Sequence, residues 1–373
     1  MQLETLVLLA VVGARFVVPL FIPRFPLPAI LAALVLDAVD QTVFQAFGLN
    51  PPGYQGYDKA MDVYYLAIAY LSTLRNWTSR PARQVASFLY FYRLVGVAAF
   101  ELTAWRPLLL LFPNTFEYFF IAYEVLRLRR DPQRFGARFW IGLAAAIWVL
   151  VKLPQEWWIH IAQLDLTEQL SARPALGIVL ALLVVGVAAA LWWGVRPRLG
   201  PPAWPWTVAA PEVPPPVRRW QDRAALLAGS GRVLSLGTAE KVLLVGLISV
   251  VFAQVLPDVR STNVQLFVAL GVFVILNAAI SLAVARGGRG TDSVLLAFAV
   301  RMLLNAGLVV LAHALLAGRD GALNLPGALF FVAMLTLLTL LDDRFRPVAT
   351  YRDMEVPAPV EPSAPMSGSG SAR

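Results

Sequence analysis

Two aspartates lie inside an apolar stretch that runs from Leu27 to Phe47. Asp37 and Asp40 are three residues apart, so a helix would place both carboxylates on one face. A charged side chain at bilayer depth costs about 2.5–3.5 kcal/mol on insertion scales, and it is normally buried in protein or faces a water-filled cavity. The pair therefore predicts a polar site inside a membrane-spanning bundle, where carboxylates bind a cation or a metal ion or carry protons.

Further ionisable side chains interrupt the neighbouring apolar stretches at similar depth. The predicted substrate- or ion-binding residues are Asp37, Asp40, Asp62, Arg93, Glu101, Glu117, Glu124 and Lys152. We expect an acid-rich cluster in the outer half of the membrane, with Arg15, Arg93 and Lys152 neutralising part of its charge. Glu124 lies two helical turns beyond Glu117, toward the cytoplasm, and would extend the site into a path for a cation or proton.

A structural interpretation competes with this binding site. Ion pairs and buried hydrogen bonds between helices can hold a membrane bundle in register without binding any ligand. Ionisable groups recur in five or six apolar stretches at similar depth, and this recurrence favours a functional site.

A second polar pattern follows Pro154. Glu156 and His160 are four residues apart, and Trp157 and Trp158 lie on the opposite side of the same helical stretch. This pattern predicts an amphipathic helix on the outer leaflet, with the tryptophans at head-group depth. The spacing would also let Glu156 and His160 ligate one metal ion or act as an acid–base pair, so a divalent metal is a candidate cofactor. A solvated helix face gives the same spacing, so both interpretations stay open.

The composition predicts the class of protein that carries these groups. The chain has 373 residues, of which 58% are hydrophobic and 14% are charged, whereas a soluble protein carries roughly a quarter charged residues. We therefore expect an all-α, polytopic integral membrane protein with about eleven transmembrane helices. The candidate spans are 5–23, 28–47, 60–75, 85–105, 107–127, 136–153, 175–195, 239–257, 263–285, 293–317 and 326–341.

The net charge of +8 follows this topology and not a nucleic-acid surface, because nearly all arginines lie between the apolar stretches. They cluster after the odd-numbered spans, so the positive-inside rule predicts an outer N-terminus and a cytoplasmic C-terminus. We expect a plasma-membrane protein with the bilayer as its environment and no nucleic-acid partner. The preference for Arg, Ala and Pro suggests a bacterial cytoplasmic membrane.

Four regions are predicted along the chain. Residues 1–196 form a seven-span module with the polar cluster, and 197–237 form a Pro-rich cytoplasmic linker. The basic part of this linker forms either an interfacial helix or a solvated loop. Residues 238–346 form a four-span hydrophobic module that could dock a membrane-protein partner. Residues 347–373 form a disordered cytoplasmic tail.

Three functions are consistent with these patterns. The leading hypothesis is a transporter or permease that binds a cation or small polar solute through the acid-rich cluster. The second is a membrane-embedded, metal-dependent enzyme that acts at the outer face on a lipid-linked substrate, and the third is a membrane scaffold or assembly subunit. The sequence has no cysteine, no Gly-x-Gly-x-x-Gly pattern and no P-loop, which excludes thiolate chemistry and gives no basis for ATP hydrolysis.

Overall fold

The computed structural model describes residues 3–49, 54–162, 201–219, 221–223, 236–255, 292–316 and 325–355, with a few isolated positions between 175 and 193. Within these ranges the secondary structure is helical and contains no strand, which confirms the all-α prediction. The main helices are α1 (Leu3–Val17), α2 (Pro26–Ala46), α3 (Tyr54–Asn76), α4 (Arg80–Thr103), α5 (Pro107–Leu111), α6 (Thr115–Arg127), α7 (Ala137–Ile147), α8 (Leu153–Glu156), α9 (Leu236–Val255), α10 (Val294–Leu316) and α11 (Leu325–Glu355).

Helix α3 lies at the centre of the bundle and packs against α1, α2, α4, α9 and α11. From residue 60 to residue 76 all of its side chains are buried except Asp62 and Arg75. Small side chains such as Ala67 and Ala69 let neighbouring helices approach closely, as membrane bundles require. Each buried tyrosine hydroxyl needs a partner, and Tyr64 donates to the carbonyl of Phe16 at 3.0 Å.

Three helical segments of the described chain are long and apolar enough to cross a membrane. They are α2, α4 and the continuous segment Ala137–Glu156 that joins α7 to α8. Their outer faces carry exposed apolar side chains, such as Val35 on α2, Val95 on α4 and Ile141 on α7. Such faces suit contact with lipid, and the fold is that of a membrane-compatible helical bundle.

The structure corrects the predicted helix over 107–127, which is two helices and not one. The chain breaks at Pro113, because proline has no N–H to donate and its ring clashes with the preceding turn. Helix α6 therefore begins at Thr115 and is 13 residues long, or roughly 20 Å. The break places Asn114 and Glu117 at the start of α6, beside α3 and α4.

The predicted helix over 136–153 continues further than expected. It passes through two π-helical turns, Trp148–Lys152 and Trp157–Ile161, on either side of α8. Such turns re-aim side chains within a helix and are frequent at functional sites. The predicted span 263–285 and most of 175–195 lie outside the described residues.

Helices from the second half of the chain pack on the first half. Helix α11 runs along α3, and α9 contacts both α3 and α4. Helix α11 also continues to Glu355, so the predicted disordered tail does not begin at 347. The extension is held because Val348 is buried and Asp353 pairs with Arg83. Residues 356–373 lie outside the described ranges.

The Pro-rich segment that was predicted as a linker contacts the bundle within 201–210. Its backbone amides at Ala203 and Thr207 donate to carbonyls at the end of α6, at 2.8 Å and 3.0 Å. Arg127 donates in turn to the carbonyl of Ala209 at 3.0 Å. This segment therefore closes over the C-terminal end of α6.

Gly96 fixes the approach of α4 to the loop before α6. A Cβ atom at Gly96 would lie far inside van der Waals contact with Phe112, whereas a Cβ atom at Gly142 on α7 would meet nothing within 4 Å. We expect Gly96→Ala to lower the midpoint of thermal unfolding in detergent, because Phe112 must shift. The matched Gly142→Ala should leave it unchanged or raise it, since alanine in a helix interior is favoured by about 0.5–1 kcal/mol. Equal effects of the two substitutions would contradict this packing.

Candidate functional site

The guanidinium of one buried arginine contacts four carboxylates where α1, α2 and α3 meet. Arg15 is 5% exposed. Its guanidinium forms ion pairs with Asp37 and Asp40, lies 2.7 Å from Asp58 and lies 3.1 Å from Asp62. We call these five residues the Arg15 cluster. The planar fork of arginine offers several donors at fixed angles, which suits it to bind more than one carboxylate.

Helical spacing explains why these residues converge. Asp37 and Asp40 are one turn apart on α2, and Asp58 and Asp62 are one turn apart on α3. Arg15 lies in the last turn of α1 and reaches both pairs. The structure thus brings together three predicted site residues of α2 and α3, and it assigns Arg15 as their common partner.

The Arg15 cluster has more negative than positive groups, and Asp62 is the carboxylate held least tightly. Its oxygen has the longest of the four contacts with Arg15, and its side chain is 42% exposed. Asp40, by contrast, is 1% exposed and also accepts from the amide of Gln41 at 2.6 Å. One guanidinium cannot compensate four ionised carboxylates, so a proton or a further cation beside Asp62 would be stabilised.

Three of the carboxylates also have the geometry of a metal site. Ligand oxygens of Asp37, Asp58 and Asp62 lie within 4.8 Å of one another. Oxygen ligands of this type suit Mg²⁺, Ca²⁺ or Mn²⁺. The guanidinium of Arg15 contacts all three, however, so a divalent ion would have to displace it. The residues present fit an arginine–carboxylate cluster better than a resident metal centre.

A cavity of about 240 Å³ opens beside Asp62, between α3, α4 and the start of α6. Its polar lining comes from Lys59, Asp62, Tyr90, Arg93, Glu101 and Asn114. The residues of α4 that line it follow a helical repeat of three and four, from Tyr90 through Arg93 and Leu94 to Val97. The predicted site residues Asp62, Arg93 and Glu101 therefore share one cavity.

Several polar atoms of the cavity lining have no hydrogen-bond partner among the described residues. They are the hydroxyl of Tyr90, Nε of Arg93 and Oδ1 of Asn114. Oε1 of Glu101 also lacks a hydrogen-bond partner among these residues, although it forms an ion pair with Nζ of Lys59 at 3.0 Å. Nη1 of Arg93 donates to the carbonyl of Phe112 at 2.9 Å. Because buried polar groups normally find partners, the unsatisfied atoms indicate that the cavity holds water or a polar ligand.

Glu117 lies next to this cavity in a buried network. It accepts from the hydroxyl of Tyr65 at 2.6 Å and from the side-chain amide of Asn114 at 2.9 Å. Lys152 is 4% exposed, and its Nζ lies 4.0 Å from the centre of the Tyr118 ring. Asn114 therefore connects the Glu117 network to the cavity.

Glu156 does not lie on a solvated helix face. It is 5% exposed, and it accepts from the backbone amide of Asn114 at 3.2 Å. The buried position arises because the π turn Trp148–Lys152, just before α8, rotates the helix and directs Glu156 toward the start of α6. The side chain of His160 lies outside the described residues, so Glu156 and His160 as a metal pair stay a prediction.

Glu124 lies apart from the cavity. It is fully buried, accepts from the indole of Trp77 at 2.8 Å and pairs with Arg127 at 2.6 Å. Trp77 in turn stacks on Tyr123 with ring centroids 3.7 Å apart. These contacts enclose Glu124 in a structural cluster at the end of α6, and they leave it a weaker candidate for a path than the sequence suggested.

A second polar network joins α9, α10 and α11, and the predicted site includes none of its residues. Lys241 pairs with Asp343, which also lies 2.8 Å from Arg301. Arg346 pairs with Glu240, and Tyr70 and Ser87 donate to the same carboxylate at 2.7 Å and 2.9 Å. Burial acts to lower the pKa of Arg346, but Asp342 and Glu240 outweigh it and raise that pKa well above its ordinary value. The neighbouring acidic and basic residues at the ends of apolar stretches in the sequence could have indicated this network.

Asp58 and Lys59 were also missing from the predicted site, although both contribute to it. Asp58 is one turn before Asp62, so the same face of α3 could have indicated it.

No family model matches the chain, and no curated protein or solved structure matches it.

Removal of Arg15 tests whether the cluster is ionised and mutually dependent. We expect Arg15→Gln to destabilise the protein by about 3–5 kcal/mol, because it leaves several carboxylates facing one another. The added Asp40→Asn change should restore part of the loss, since it removes the most buried of those carboxylates. The measurement is the midpoint of thermal unfolding in detergent, with Arg24→Gln, an exposed arginine, as the matched control. An Arg15→Gln protein as stable as this control would contradict the cluster.

Proposed function

We propose that the chain is a multi-span membrane transporter that binds a cation or a polar solute with a cationic group in the cavity beside Asp62. The proposed topology has about eleven spans, an outer N-terminus and a cytoplasmic C-terminus, in a bacterial plasma membrane. Under this topology the cavity lies in the outer half of the bilayer. The three long apolar helices and the exposed apolar faces of α2, α4 and α7 support membrane insertion.

One observation carries the proposal: the charge-unbalanced Arg15 cluster borders a polar cavity through Asp62. A merely structural cluster would be expected to balance its charges, because uncompensated charge inside a membrane is costly. The excess of carboxylates is instead what a bound cation would offset. The unsatisfied atoms of Tyr90 and Asn114 add hydrogen-bonding groups at the same place.

The residues in and around the cavity have different roles in the proposed binding. Asp62 supplies the negative charge, and Arg15 holds its carboxylate in place while Asp37, Asp40 and Asp58 keep the local field negative. The pair of Lys59 and Glu101 links α3 to α4 at one end of the cavity. A relative shift of α3 and α4 would change access to Asp62, which is the motion that alternating access needs.

The alternative is a membrane-embedded enzyme that uses a divalent metal on a lipid-linked substrate. The close approach of Asp37, Asp58 and Asp62 favours it. Arg15 disfavours it, because it already contacts the three carboxylates that the metal would need. In the enzyme the cavity would open to one side of the membrane alone, whereas a transporter must open it to each side in turn.

Cysteine labelling tests the proposal in a chain that has no cysteine of its own. Val97 lines the cavity and Val95, two residues away on α4, is 40% exposed on the outer face. In proteoliposomes we expect Val97→Cys to react with a membrane-impermeant thiol reagent, because water reaches the cavity. Val95→Cys should not react, since a lipid-facing thiol does not ionise readily.

The side of labelling separates the candidate functions. Reaction of Val97→Cys from both sides of the membrane, each slowed by saturating substrate, is the result expected of a transporter. Reaction from one side only would favour the enzyme. Reaction of Val95→Cys with Val97→Cys unreactive would contradict both the hydrated cavity and the proposed orientation of α4.

A further inference from the structure

The cavity presents two binding groups of opposite charge on two different helices. Asp62 on α3 offers a carboxylate that is partly exposed to it. Arg93 on α4 offers a guanidinium, and within the described residues no carboxylate lies at ion-pair distance from it. Lys59 and Glu101 neutralise each other's charge as an ion pair at 3.0 Å, so Asp62 and Arg93 are the charges left for a ligand.

The unsatisfied atoms indicate which hydrogen-bond donors and acceptors a ligand needs. Tyr90 is 3% exposed and lies one turn from Arg93 on the same face of α4, and its hydroxyl has no partner among the described residues. Nε of Arg93 can only donate, Oδ1 of Asn114 can only accept, and the Tyr90 hydroxyl can do either. Leaving such buried atoms unpaired is energetically unfavourable. A fitting ligand therefore carries an acceptor for Arg93 and a donor for Asn114.

We infer that the cavity binds a small group that carries both an ammonium and an oxyanion. The ammonium donates to Asp62 and to Oδ1 of Asn114, and the oxyanion accepts from Nε of Arg93 and from the hydroxyl of Tyr90. A free amino-acid-like solute and a zwitterionic lipid head group share this chemistry. The inference rests on the proposed function and narrows its substrate class.

Ligands with a single charge fit less well. A simple cation would be repelled by Arg93 and would leave Nε without an acceptor. A simple anion would face the negative excess of the Arg15 cluster across Asp62. The cavity volume of about 240 Å³ also exceeds the roughly 30 Å³ share of one water, so it has room for a molecule of several heavy atoms.

Calorimetric titration of the purified full-length protein with three probes of matched length tests the inference. The probes are 4-aminobutyrate, butylamine and butyrate. We expect 4-aminobutyrate to bind about tenfold or more tightly than either singly charged probe, since each lacks one charge-assisted contact. Arg93→Gln should reduce its affinity to that of butylamine, and Asp62→Asn should reduce it to that of butyrate. Arg106→Gln, an exposed arginine, is the control and should change nothing.

Native mass spectrometry of the detergent-purified protein separates the two ligand sources. Retention of phosphatidylethanolamine over phosphatidylglycerol, lost in Arg93→Gln, would assign the head group as the ligand. Arg93-dependent binding of 4-aminobutyrate without such retention would assign a free solute. Both results support the shared chemistry.

A cavity-filling variant keeps the test valid if the charge variants fail to fold. Val97→Phe should block the cavity without changing any charge, and Val95→Phe on the outer face is its control. We expect the first to abolish binding of 4-aminobutyrate and the second to preserve it. Equal affinity for butylamine and 4-aminobutyrate would overturn the zwitterion inference and leave cation binding intact. Failure of every probe to bind, with no retained phosphatidylethanolamine, would overturn the proposed function as well.

Discussion

The relative positions of α1, α2 and α3 depend on the ion pairs of Arg15. Four carboxylates from α2 and α3 converge on one guanidinium from α1, and none of those helices could move far without exposing uncompensated charge. In a membrane the hydrophobic effect does not drive helices together, so packing and polar contacts of this kind set their positions. The cluster therefore fixes the register of α1, α2 and α3, and it contains more carboxylates than guanidinium groups.

Two residues connect the Arg15 cluster to the other polar groups of the site. Asp62 belongs both to the Arg15 cluster and to the cavity, and Asn114 belongs both to the cavity and to the Glu117 network. The break at Pro113 makes the second link possible, because it brings the start of α6 to the middle of the bundle. The polar groups of the Arg15 cluster, the cavity and the Glu117 network thus form one connected system around α3, whereas Glu124 is enclosed at the other end of α6.

Sequence patterns predicted the helical class. They also singled out charges within apolar stretches, several of which lie in the Arg15 cluster or line the cavity, because such charges are rare and the helical repeat shows which of them share a face. They could not predict which charged residues pair with each other, since the membrane depth of a residue and its helix face do not show which helices are neighbours. Arg15 could have paired with any acid at its depth, and its convergence on two aspartate pairs depends on how α1 crosses α3. Glu156 was placed on the wrong face because a π turn is not visible in an apolar pattern. The predicted site includes no residue of the network of α9 to α11 because Glu240 and Lys241 lie at the edge of an apolar stretch, where charges are ordinary.

Hydroxyl-radical footprinting of the protein in nanodiscs tests most directly whether the cavity is a hydrated site. Tyr90 and Tyr70 stack with ring centroids 4.5 Å apart and are both buried, but Tyr90 alone of the two lines the cavity. Tyr70 directs its hydroxyl at Glu240 instead. Radicals form from water beside the labelled side chain, so a hydrated cavity predicts rapid modification of Tyr90 and protection of Tyr70. Equal protection of both tyrosines would show a dry, structural cluster and would contradict a binding site at Asp62 and Arg93.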